Sequence, residues 1–125
     1  MLAPATALLA GLLLAGCAVQ GEVQTAASAS NHSGASVLLV LKVWDHNGRL
    51  VYNRTASLAT GMEAMQLGSI GGPLPTYGSK YSWFAQAGPL SQQEARSPQG
   101  VSAWSVDVFD DRIDFAFATA KSRAT

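Results

Sequence analysis

The chain has little of what most functional sites are built from. One cysteine, Cys17, stands among 125 residues. An intrachain disulfide and a cysteine-based zinc site both need several thiols, so both are excluded. The two histidines, His32 and His46, fall in a Ser/Ala-rich stretch and an expected turn. A His-ligated metal or a Ser-His-Asp system needs an imidazole held by packing and by a partner, and neither position promises that. Charge of one sign is lacking too: eight Lys and Arg balance eight Asp and Glu. A zero net charge offers no overall field for nucleic acid or for an anionic lipid surface. There is no phosphate-binding GxxxxGK[ST] loop, no paired acid and base and no cofactor motif. The expectation is a chain that is not an enzyme and carries no cofactor.

What is there begins with an uncharged segment. Residues 2–16 read LAPATALLAGLLLAG, and their continuous apolar part runs from Ala7 to Ala15. That is about half the ~20 residues a transmembrane helix needs, and it fits the ~7 to 15 of a signal-peptide core. Leu14-Ala15-Gly16-Cys17 then resembles the lipobox of bacterial lipoproteins, a Leu and two small residues before a Cys. The resemblance implies a signal peptide over 1–16, cleavage between Gly16 and Cys17, and acyl chains on Cys17. Each buried methylene contributes about 0.8 kcal/mol, so two or three chains anchor a domain stably. In that family an Asp after the Cys favours inner-membrane retention. Ala18 stands here, which implies the outer membrane, with the domain facing the periplasm. The start departs from the family pattern, since no Lys or Arg precedes Lys42.

Residues 17–36 read as the acylated Cys and a flexible tether. AVQGEVQTAASASNHSGAS has no aromatic residue and no hydrophobic period, and such a stretch buries too little to offset its ordering entropy. Fully extended it reaches at most ~65 Å. Two sequons, Asn31-His32-Ser33 and Asn53-Arg54-Thr55, read as chance below a lipobox.

One domain is expected over 37–120, with a tail at 121–125. VLLVLKVW (37–44) and RLVYNRTA (49–56) flank an Asn-Gly turn, a strong hairpin signal. A three-residue loop, 46–48, pairs Asp45 with Arg49 and Val43 with Val51. A two-residue turn shifts the register by one and swaps faces. MEAMQL (62–67) is a weak strand or a helical turn, 69–79 is a Gly/Pro-rich loop, and KYSWFAQA (80–87) is a strand. Ser91 and Glu94 have capping-box spacing for one helical turn before Pro98. VSAWSVDVF (101–109) and RIDFAFAT (112–119) predict a hairpin pairing Val108 with Ile113, Val106 with Phe115 and Trp104 with Phe117, all on one buried face. Six strands and almost no helix point to an all-β fold, a small antiparallel β-sandwich of immunoglobulin- or transthyretin-like type. The transthyretin-like sandwich of a type VI secretion lipoprotein is a parallel in fold and address, without a motif match.

Two surface features are candidate sites. Asp107 falls opposite Asp114, with Asp110 and Asp111 at the turn. Facing like charges destabilise a sheet, and a divalent cation such as Ca²⁺ offsets them; solvated charge that blocks edge pairing is the plainer reading. If Leu39, Leu41 and Val43 face the core, Lys42, Trp44, Leu50 and Tyr52 share the opposite face and offer a partner contact. The expectation is an envelope lipoprotein whose domain docks on another envelope protein, in a secretion-apparatus, pilotin or assembly-factor role. The alternative is a module that binds a glycan or a divalent cation.

Overall fold

The computed structural model of the protein describes residues 22–75 and 78–119. The lipobox and Cys17 lie outside the described residues. Eight strands and no helix are found among them: β1 (Glu22–Asn31), β2 (Val37–Trp44), β3 (Leu50–Leu58), β4 (Met65–Pro73), β5 (Tyr81–Ala87), β6 (Leu90–Arg96), β7 (Val101–Val108) and β8 (Ile113–Thr119). They form two four-stranded sheets, ordered β4-β1-β7-β8 and β3-β2-β5-β6. Every pairing is antiparallel except that of β1 with β7. The all-β sandwich stands. An immunoglobulin constant-type sandwich puts four strands in one sheet and three in the other, in a different order.

Alternation explains the core. On β2, Leu39, Leu41 and Val43 are fully buried, and on β5 Tyr81, Trp83, Ala85 and Ala87 turn inward. The last hairpin takes the expected register, with Val108 opposite Ile113, Val106 opposite Phe115 and Trp104 opposite Phe117. Trp83 and Trp104 meet edge-to-face at 5.2 Å, and Phe117 and Phe115 close on them at 5.1 and 5.2 Å. Each such pair contributes about 0.5–1.5 kcal/mol beyond its burial. Trp83 Nε1 donates to the Arg96 carbonyl at 3.0 Å. The Arg96 guanidinium lies 4.3 Å over the Phe117 ring and covers the open side of the sandwich.

Three sequence expectations are corrected. The tether does not extend over 22–36. β1 is an interior strand between β4 and β7, and Val23, Thr25, Ala27, Ala29 and Asn31 are all buried. Its inward side chains are small because Ala27 lies opposite Trp104, whose ring fills the space between the sheets. The capping-box segment is not helical. It is β6, an edge strand paired with β5 from Leu90 to Arg96. The Gly/Pro-rich loop begins only after Pro73. Gly71 and Gly72 belong to β4, and a Cβ on Gly72 would sit 2.7 Å from Tyr81 Oη, so only glycine fits under that phenol.

Candidate functional site

The sandwich has two ends, and they differ. The distal end carries the connections at 32–36, 59–64, 88–89 and 109–112. The proximal end carries Glu22, the turn at 45–49, the start of β5 and the end of β8.

Asn31 ties the distal end together. Its Oδ1 accepts from Ser33 N at 2.9 Å and Ser33 Oγ at 2.6 Å, and its Nδ2 donates to the carbonyls of Ala35 and Leu58. Its backbone bonds Met62 and Gly61, and Thr60 Oγ1 donates to the Ser33 carbonyl. Asn31 is 1% exposed, so the first sequon is closed to modification.

His32 is better held than the sequence promises. Its Nε2 lies 2.9 Å from Asp107 Oδ1, and its ring stacks on Phe109 at 4.8 Å. The Arg112 guanidinium lies 4.2 Å from the centre of the same Phe109 ring. Asp107 does face Asp114, as the register predicts, but the four aspartates do not converge. Asp107 turns to His32, Asp114 and Asp111 bond Arg112 at 3.2 and 3.1 Å, and Asp110 accepts from Gly34 N at 2.8 Å. No group of three His, Cys, Asp or Glu side chains among the described residues could hold a metal ion. The cation reading of Asp107, Asp110, Asp111 and Asp114 is therefore withdrawn, because the carboxylates turn to three different donors, His32, Arg112 and Gly34 N, and do not converge. The bonds to Asp114 and Asp111 raise the Arg112 pKa above its ordinary value.

The partner-contact face is also revised. The turn follows the three-residue option: Asp45 N donates to the Arg49 carbonyl, Gly48 N donates to the Asp45 carbonyl, and Gly48 takes φ +79°. Asp45 Oδ1 accepts from Asn47 N and Arg49 N. The Arg49 bond foremost, with His46 and the Arg49 charge adding, holds its carboxyl below the usual value. One residue on, the register slips. Trp44 pairs with Leu50 but Val43 pairs with Tyr52, so one extra residue, Val51, is accommodated as a bulge. That slip turns Tyr52 inward beside Val43. Its Oη donates to the Leu67 carbonyl of β4 at 2.5 Å, and burial raises its pKa. Lys42, Trp44 and Leu50 remain on the outer face, joined by Phe84, which packs edge-on against Trp44 at 6.2 Å.

The sequence reading missed a groove at the distal end. About 420 Å³ lies between the 32–36 connection, the β5–β6 turn and the β7–β8 turn, with Val37, Leu38, Ala87, Pro89, Leu90 and Phe109 supplying its apolar lining. Leu38 is 59% exposed at its mouth. Leu38 stands two residues before Val40 and four before Lys42 on β2, so the groove opens onto the face bearing Trp44 and Phe84. The available signal was VLLV at 37–40: with Leu39 inside, strict alternation puts Leu38 outside. No family model, curated protein or solved structure matches the chain.

Proposed function

We propose that the protein is a bacterial envelope lipoprotein, anchored in the outer membrane through Cys17 and facing the periplasm, whose sandwich docks on another envelope protein at its distal end. The observation that carries the docking is the groove beneath Leu38. It is apolar inside and rimmed by Asp110, with Asp107, Asp111, Asp114 and Glu63 at the same end. A partner that offers one apolar side chain to the groove and cationic groups to the rim fits this chemistry.

A photo-crosslinking residue at position 38, in cells making the full chain, tests the docking. A discrete adduct with one envelope protein, lost with Leu90→Asp, is the expected result; a chain without adducts sinks the reading. Cys17→Ala with palmitate labelling and membrane fractionation tests the anchor. Unlabelled wild-type protein in the soluble fraction would overturn it. A glycan site is the second reading, favoured by Trp44 and Phe84 on a face that also carries Lys42, Asn53, Ser82, Gln86 and Gln93. It predicts glycan retention that Trp44→Ala abolishes and Leu38→Asp leaves intact.

A further inference from the structure

Two open sheets have four edges between them, and an edge strand presents N–H and C=O groups that a further strand can take. Three of the four edges are blunted. β3 is bent by its bulge at Val51 and carries Arg54. β4 is broken at Gly68, which takes φ +91°, its Leu67 carbonyl accepts from Tyr52 and Arg54, and it ends on Pro73. β6 stands between Pro89 and Pro98 and carries the Glu94–Arg96 pair, and its Gln93 N–H donates to the Gln92 side chain. Bulges, prolines and charges of this kind keep sheet edges from pairing.

β8 is not blunted. IDFAFAT holds no Pro, Gly, Lys or Arg, and the irregularity in its ladder lies on β7, between Val101 and Ala103. Its single charge, Asp114, is bonded to Arg112. Among the described residues β7 is its only strand neighbour, and Arg96 meets Phe117 from the facing sheet. Phe109 N donates to the Arg112 carbonyl, and antiparallel pairs alternate between facing and averted backbone groups. The N–H and C=O groups of Asp114, Ala116 and Ala118 therefore turn to β7, and those of Ile113, Phe115 and Phe117 turn outward along the edge. Phe115 and Phe117 are half-buried, and Ala116 and Ala118 are exposed on the outer face.

We infer that β8 is a self-association edge: a second copy of this chain lays its own β8 antiparallel along it and joins the two four-stranded sheets into one. The strand matches itself. With the dyad at Ala116, Phe115 meets Phe117 of the second copy, and both bring their outward backbone groups to the seam. Asp114 meets Ala118, and Ala116 meets its own copy. No like charges are opposed, whereas a dyad at Asp114 sets two carboxylates face to face. Edge hydrogen bonds exchanged against water stabilise little alone. Covering the exposed sides of Phe115 and Phe117 in both copies adds an apolar gain and two cross-strand aromatic pairs. The zero net charge of the chain sets no long-range repulsion against a second copy. Antiparallel pairing puts the two distal grooves at opposite ends of the pair. The pairing needs neither the anchor at Cys17 nor the groove.

Ala116→Cys in cells making the full chain, treated with a thiol oxidant, tests the dyad. Facing residues of this pair type lie about 4.5 Å apart, within disulfide reach. The expected result is a reducible band at twice the chain's mass, at least tenfold stronger than in wild type or in Ala26→Cys. Ala26 is equally exposed on the same outer face, two strands further in, so equal bands overturn the inference. A photo-crosslinking residue at position 118 should also capture a second copy. Capture of a different protein in its place assigns the edge to a foreign strand and overturns the second copy, as does the absence of any adduct. Ala116→Lys sets two cations at the dyad on an exposed site and should cut the 118 homodimer adduct at least tenfold, while Ala26→Lys leaves it unchanged. An adduct undiminished by Ala116→Lys, or lost equally with Ala26→Lys, overturns the inference.

Discussion

The β2–β3 and β7–β8 hairpins start from similar alternation and end differently. Along β7–β8 one register runs from the turn through Trp104 and Phe117, and every large side chain falls where period-two reasoning puts it. Along β2–β3 the turn takes the three-residue form, one of the two the pattern allows, yet the register slips one residue beyond it and Tyr52 crosses to the inner face. The difference teaches what sets register. In β7–β8 burial on one face specifies it from the turn as far as Ala103, and the register shifts only beyond that, between Ala103 and Val101. In β2–β3 the outer partner is an edge strand with polar residues at Asn53, Arg54 and Thr55, and burial discriminates weakly. There the Asp45-Gly48 turn sets one end, and Tyr52 reaching the Leu67 carbonyl sets the other.

The sharpest break of this contrast is Trp104→Ala. It removes the side chain around which Trp83, Phe115 and Phe117 pack. A loss of about 3–5 kcal/mol in urea unfolding is expected, with the β7–β8 amides losing protection first. In β2–β3 the corresponding weak point is the turn and not the core. A Cβ on Gly48 meets no neighbour within 4 Å, but Gly48→Val must hold φ near +79°. A loss of about 1–2 kcal/mol follows from backbone strain alone, and unchanged stability would mean the turn has rebuilt. Tyr52→Phe keeps the ring and deletes the donor to Leu67. About 1 kcal/mol is expected, and exchange of the β3 amides reads whether the register relaxes.

The smallest effect is acid sensitivity at the turn. Asp45 has a folded pKa below its ordinary value of 3.8. Its contribution is complete above that value and is lost as pH falls through the lower folded one. Melting temperature below pH 4 should therefore fall more steeply for wild type than for Asp45→Asn, and parallel curves would contradict this. Alkali acts at the neighbouring Tyr81. Burial, with help from Asp45, pushes its pKa up to about 12, so stability is full below pH 10 and declines between 10 and 12. Tyr81→Phe should flatten that decline.

The same contrast explains what was legible in the residues. β2, β5, β7 and β8 declare themselves because each alternates large apolar residues with others. β1 does not: EVQTAASASN offers one large apolar side chain, since the two tryptophans opposite leave room only for Ala, Thr and Val. β6 reads as polar because it is an edge that buries little beyond Leu90. The outer face was half legible. Trp44, Lys42 and Leu50 were on it, while Tyr52 was lost to a bulge that no local pattern announces. The distal groove lay beyond sequence reasoning because its walls come from three separate connections. So did the pairing of His32 with Asp107, whose residues are 75 apart in the chain.

The parallel seam between β1 and β7 has a consequence in time. β1 is synthesised first, but Ala26 finds its neighbour in Ala103, and neither sheet edge nor core closes until the final quarter of the chain has appeared. Contacts of such long sequence separation form slowly, because the loop-closure entropy precedes the gain. A nascent chain built this way keeps one flank of its first strand unpaired until its last hairpin has been made, so the sandwich closes at the end of synthesis and not strand by strand.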